Sequence, residues 1–144
     1  MNFMTALKIS GSALKAERSR INIAAMNMAN ANATRTIEGG PYRAKSVVFG
    51  AAPMESSFGA TYNSVEDKLR KVELMKVVED KTPFKEIYDP SHPDADENGI
   101  VKMPNVNVVE QMVDMMGARR DYDANVTALE AIKQMALRAL DISR

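Results

Sequence analysis

All six prolines and five of the seven glycines of this 144-residue chain fall between residues 39 and 104. Proline removes a backbone donor and clashes with the preceding helical turn, and glycine adds conformational entropy, so both weaken helix interiors. The flanks carry no proline and one glycine each, Gly11 and Gly117. The sequence therefore specifies a long helix, a β- and loop-rich insert and a second long helix, an α+β arrangement. The expected partition is 1–38 for the first helix, 39–104 for the insert and 105–144 for the second helix.

The first flank carries a heptad line at Leu7, Leu14, Ile21 and Met28, flanked by the small residues Ala24, Ala25 and Ala31 that let a partner helix come close. The second flank repeats with alternating 4–3 spacing at Val108, Met112, Met115, Arg119, Tyr122, Val126, Leu129, Lys133, Ala136 and Leu140, and eight of these ten are apolar. That pattern reads as a coiled-coil-like seam. Asn107 followed by Glu110 resembles a capping box. A helix from residue 107 to 143 would run about 55 Å, too long for a compact ball of this size, so it calls for another long helix beside it.

Within the insert, residues 42–49 and 71–78 are rich in β-branched and aromatic side chains and predict strands. Gly39-Gly40-Pro41 and Asn98-Gly99 are turn signals, the second suited to a hairpin. Residues 51–66 lack periodicity and are expected to form a mobile loop.

Lys plus Arg equals Asp plus Glu at 19 each, which argues against a nucleic-acid binder. With no cysteine, disulfides, thiolate metal sites and a cysteine nucleophile are excluded. No stretch approaches the ~18 apolar residues of a membrane span, and the start of the chain lacks a signal-peptide apolar core. Composition alone suggests a cytosolic protein. Charge is uneven: residues 1–45 hold seven basic and two acidic side chains, whereas residues 46–104 hold seven and eleven. Ordinary solvated faces account for this, although head-to-tail contacts between copies would use it.

Candidate chemistry concentrates in Asp94-Ala95-Asp96-Glu97-Asn98-Gly99, which reproduces the first half of a calcium-binding EF-hand loop. The second half fails, with Lys102 at the ninth position and Asn105 where a bidentate Glu belongs. A polar β-turn is the better reading. His92, the single histidine, lies between Pro90 and Pro93 and has no second His or Cys with which to build a zinc site. No nucleophile elbow, P-loop or dinucleotide fingerprint occurs, so the residues favour an interaction protein over an enzyme, with no cofactor. Met112, Met115, Met116 and Met135 fit packing or an adaptable interface.

Residues 12–22, Ser-Ala-Leu-Lys-Ala-Glu-Arg-Ser-Arg-Ile-Asn, followed by Ala25-Met26-Asn27-Met28-Ala29-Asn30 and then Thr34, resemble the N-terminal signature of flagellar rod and hook proteins. Tyr88-Asp89-Pro90-Ser91-His92-Pro93-Asp94-Ala95-Asp96-Glu97-Asn98-Gly99, running on through Pro104-Asn105-Val106-Asn107, is similar to the hallmark of proximal rod proteins. Residues 109–115 and 118–125 are similar to the C-terminus of that family. Ile100 stands where an aromatic is expected, and Asp123 where Glu is more usual.

The resemblance implies a structural subunit of the bacterial basal-body rod, exported by the flagellar type III apparatus without a cleaved signal peptide, which displaces the cytosolic expectation. Implied partners are further copies, other rod proteins, the membrane-ring base and the distal rod, in a periplasm-spanning shaft. On this reading Leu7, Leu14, Ile21, Met28, Met112, Met115, Tyr122, Val126 and Leu129 line the helix-pairing seam. Asn22, Asn27, Asn30 and Asn125 fix its register by hydrogen bonding. Asp89, Pro90, Pro93, Asp94, Asp96, Asn98 and Gly99 form the loop that identifies the subunit. Rival readings are another rod subunit, a calcium-dependent module using Asp94, Asp96 and Asn98, and a generic coiled-coil adaptor.

Overall fold

The first helix, α1, spans Phe3–Ala29 and holds a single glycine. It stops short of the proline-free limit because Asn30 folds back: its backbone N–H and its side-chain Nδ2 both donate to the Met26 carbonyl, at 3.1 and 2.8 Å. Such side-chain bonds satisfy carbonyls that the helix end would leave open. The chain then turns, and Tyr42 N–H donates to the Ala33 carbonyl at 3.0 Å. Gly39 and Gly40, at φ of 89° and 77°, take the left-handed bends between them.

These are features of a computed structural model that describes residues 3–37, 39–53 and 69–142. Strands β1 (Lys45–Pro53) and β2 (Arg70–Glu79) form one two-stranded sheet, close to the two strands expected. Of the stretch expected to be a mobile loop, residues 51–53 belong to β1 and residues 54–66 lie outside the described residues.

A second sheet pairs β3 (Lys85–Tyr88) with β4 (Ile100–Met103) in antiparallel register, with Ile87 opposite Val101 and Glu86 opposite Lys102. The turn signal at Asn98-Gly99 therefore closes a hairpin, but through the whole segment 89–99 rather than a two-residue loop. Gly99 sits at φ 73°, and a Cβ there would meet Tyr88 Cε2 at 3.0 Å and Pro90 Cγ at 3.1 Å. A left-handed backbone costs an L-residue roughly 1–2 kcal/mol even in open space. Gly99→Ala should therefore lose roughly 1–3 kcal/mol in urea denaturation. Gly117→Ala, at a helical glycine with open space, should be neutral or stabilising.

The second helix, α2, spans Val108–Ile142, 35 residues or about 52 Å. Asn107 occupies the cap position, its carbonyl accepting from Gln111 N–H at 3.0 Å, and Glu110 places a carboxylate in the positive first turn. Covered side chains recur at Gln111, Met115, Ala118, Tyr122, Asn125, Leu129, Ile132 and Ala136. The 4–3 spacing is the expected one, with alternate positions moved by one residue. Ala118 and Ile132 are covered while the neighbouring Arg119 and Lys133 reach solvent, so the two charges that interrupted the apolar line lie off the covered stripe.

The chain divides into two compact units, each drawing on both helices. One contains Met1–Ser19, Val48–Lys76 and Ala118–Arg144; the other contains Arg20–Val47 and Val77–Gly117. In the first, Thr5, Ala16 and Ala118 are buried, and Ser12 Oγ accepts from the Val72 N–H of β2 at 3.1 Å while donating to Ile9 O at 2.7 Å. In the second, Tyr42, Ala44 and Val106 form a small core with Ala31 and Ala33 against it, and Val101 is also fully buried.

Candidate assembly site

The second unit is organised around one amide. Asn27 is 1% exposed and makes all four hydrogen bonds its side chain allows. Its Nδ2 donates to the Lys45 carbonyl at 2.7 Å and to Gln111 Oε1 at 2.8 Å. Its Oδ1 accepts from Lys45 N–H at 2.9 Å and from the Tyr42 hydroxyl at 2.9 Å. The Lys45 backbone supplies one donor and one acceptor, which fixes the orientation of the amide. One side chain thereby joins α1, the start of β1 and α2. A one-residue slip of either helix would break the set, which is what a register pin requires.

Asn105 makes a second clasp. Its Oδ1 accepts from Ala44 N–H at 2.9 Å, and its Nδ2 donates to Thr82 Oγ1 at 2.8 Å and to the Asp80 carbonyl at 3.3 Å. The segment before α2 is thus tied to the strand that follows the core tyrosine. Arg43 lies 4.2 Å from the Phe84 ring centroid and donates to the Asp80 carbonyl at 3.2 Å, closing the same corner. Between the helices, Arg20 and Asp114 pair at 3.2 Å, but their side chains are 37% and 49% exposed, so the pair adds little beyond geometry.

Burial pushes the Tyr42 phenol above its ordinary value, and the Glu79 carboxylate raises it further. A raised phenol pKa means the fold favours the neutral form. Its contribution is complete below the unfolded value of about 10 and is lost as pH rises through the folded one. Tyr42→Phe, which deletes the donor to Asn27, should cost about 1 kcal/mol at neutral pH. Equilibrium unfolding should show that gap narrowing above pH ~10, as the wild-type phenol ionises.

Leu7, Leu14, Ile21 and Met28 are half-buried along α1, and Met115, Tyr122, Asn125, Val126 and Leu129 are half-buried along α2. Met112 lies off the covered stripe at 49% exposure. Of the four asparagines, Asn27 alone bonds across elements. Asn22 is exposed, and Asn30 and Asn125 donate to carbonyls four residues back, Met26 in α1 and Asp121 in α2. Tyr42, Asn105, Gln111 and Arg43 complete this hydrogen-bonded corner, and none of them stands on an apolar heptad line. Their partners lie tens of residues away, and a polar residue beside a strand or helix start carries no periodic signal.

The loop of residues 89–99 is knitted by its own polar groups. Asp89 Oδ1 accepts from the Ser91 N–H and hydroxyl at 3.1 and 2.9 Å, and Asp94 N–H donates to His92 Nδ1 at 3.1 Å. Asp94 Oδ2 accepts from Thr34 Oγ1 at 2.8 Å. Gly99 N–H donates to the Asp96 carbonyl and Asp96 N–H to the Ile100 carbonyl, which closes the turn, while Pro90, Pro93 and Asn98 face solvent. Among the described residues no group of three His, Cys, Asp or Glu is placed to hold a metal ion.

Residues 97–142 match the family model described as flagellar basal body rod FlgEFG protein C-terminal. The chain is 42% identical over 146 residues to the flagellar basal-body rod protein FlgC of Salmonella typhimurium, covering 100% of both chains. It is 37% identical to FlgC of Borreliella burgdorferi, covering 99% of this chain and 98% of that one. Identity to FlgC of Bacillus subtilis is also 37%, with 100% of each chain covered. With 37–42% identity to these relatives over 98–100% of their length, the chain belongs to the FlgC family of flagellar basal-body rod proteins.

Proposed function

We propose that this structural, non-enzymatic subunit of the flagellar basal body assembles through apolar helix faces that the single chain leaves uncovered. The observation that carries this reading is the start of α2, where Val109, Met112, Val113 and Met116 are 49–70% exposed at i, i+3, i+4 and i+7 spacing. An apolar stripe of that kind is costly to leave in water and fits a partner surface. Met135, Leu137 and Leu140 continue the exposed apolar character toward the C-terminal end. Within each unit, the half-buried seam residues Leu7, Leu14, Ile21 and Met28, with Met115, Tyr122, Val126 and Leu129, would pair the two helices into a core.

A contact between unlike surfaces that does not close on itself generates a helical filament, the geometry of a shaft. Torque would then pass through many packed contacts, with no chemistry in the subunit. Neighbouring rod subunits, the membrane-ring base and the distal rod are the expected partners, with delivery by the type III export apparatus to a periplasm-spanning position. No helix among the described residues is long and apolar enough to cross a membrane, which fits a subunit placed by its partners.

The double variant Val113→Glu/Met116→Glu tests the reading in cells that carry it as their only copy. Both side chains are exposed, so the isolated subunit should keep its stability to within about 0.5 kcal/mol. Motility and rod assembly should be lost. Wild-type swimming with the variant at normal levels would refute the use of this face.

A further inference from the structure

We propose that Asn98 is a spontaneous deamidation site that the folded loop holds in check. Asn98-Gly99 is the single Asn-Gly pair in the sequence, and Asn98 is exposed. In such a pair the Gly99 nitrogen, unhindered by a Cβ, attacks the Asn98 side-chain carbonyl carbon. A nitrogen–carbon bond forms, and the side-chain amide leaves as ammonia, carrying away the proton of the Gly99 N–H. Water then opens the resulting five-membered imide at either carbonyl, leaving an aspartate or an isoaspartate at position 98. No oxidant, enzyme or cofactor is needed.

The fold opposes the first step. The Gly99 N–H that must become the nucleophile donates to the Asp96 carbonyl at 2.8 Å. The Gly99 carbonyl accepts from Asp89 N–H at 2.9 Å, and Asp96 N–H donates to the Ile100 carbonyl at 3.0 Å. Three backbone bonds thus surround the pair, at the mouth of the β3–β4 hairpin. Gly99 is also held at φ 73° with Tyr88 and Pro90 against it. Closing the imide ring swings the Gly99 nitrogen onto the Asn98 side chain and requires the loop to open. Reaction is then limited to the open fraction of the loop, as in hydrogen exchange.

The product would matter to the loop. Either outcome adds a carboxylate close to Asp94, Asp96 and Glu97, and isoaspartate also lengthens the main chain by one carbon between Asp96 and Gly99, across the turn that closes the hairpin.

The test incubates the full chain at 37 °C and mildly alkaline pH, folded in buffer and unfolded in concentrated urea, with peptide mapping by mass spectrometry. Unfolded chain should gain 1 Da on the peptide carrying position 98 and yield both aspartate and isoaspartate forms. Folded chain should convert roughly tenfold or more slowly, the protection expected of a locally closed turn. Asn98→Gln should abolish the mass change in urea. Equal rates in the two states would overturn the gating, and a stable Asn98 in urea would overturn the site itself.

Discussion

Asn27→Leu should destabilise the second unit by roughly 3–5 kcal/mol, the upper range for a single substitution. Leucine is close to asparagine in size but makes none of its four hydrogen bonds. The Lys45 N–H and carbonyl, the Tyr42 hydroxyl and Gln111 Oε1 would each lose a partner. A buried polar group left unpaired costs about 1–3 kcal/mol, although Gln111 is half-exposed and can turn to water. Asn27→Asp separates shape from donation: it keeps an acceptor for Tyr42 and Lys45 N–H but sets a carboxylate oxygen against the Lys45 carbonyl. Urea denaturation should rank wild type above the aspartate variant, and show both variants well below wild type. A loss under ~1 kcal/mol for the leucine variant would mean that the amide network does not hold the register.

The second large effect is expected at Ala118, 0% exposed on the covered stripe of α2. Ala118→Glu forces either a buried unpaired carboxylate or separation of the packed surfaces, and should cost roughly 4 kcal/mol or more. Ala118→Gly leaves the volume nearly unchanged and should cost only about 1 kcal/mol, from helix propensity. Far-ultraviolet circular dichroism against temperature should show the glutamate variant melting far below the glycine one. Similar melting temperatures would place position 118 at a surface able to admit solvent.

The helices and the insert were legible because proline, glycine and apolar spacing act locally. Six prolines confined to one segment leave two long stretches in which nothing interrupts helical bonding. Strands β1 and β2 were visible for the same reason, through runs such as Val47-Val48-Phe49 and Val77-Val78. Strands β3 and β4 have four residues each, too few for periodicity to register, and all four β3 residues are exposed, so no alternation marks it.

The covered stripe of α2 keeps a 4–3 spacing but runs through Gln111, Ala118 and Ile132 in place of Met112, Arg119 and Lys133, because apolar count alone favours methionine over glutamine. Gln111 is covered since it bonds the Asn27 amide, a partner 84 residues away. Asn105 stands where the calcium-loop pattern requires a bidentate Glu. Its amide instead clasps Ala44, Asp80 and Thr82. Likewise Thr34 donates to Asp94 of the 89–99 loop at 2.8 Å. Two motifs that resemble family signatures are thus parts of one hydrogen-bonded corner, a link that spacing cannot show.

The absence of cysteine makes the central claim directly measurable. Met116→Cys introduces one thiol at a position 70% exposed in the single chain, and maleimide labelling can compare purified subunit with isolated basal bodies. If α2 assembles through this face, the subunit labels readily and the assembled rod is protected. Equal labelling in both, with the variant incorporated and the cells motile, would contradict the account.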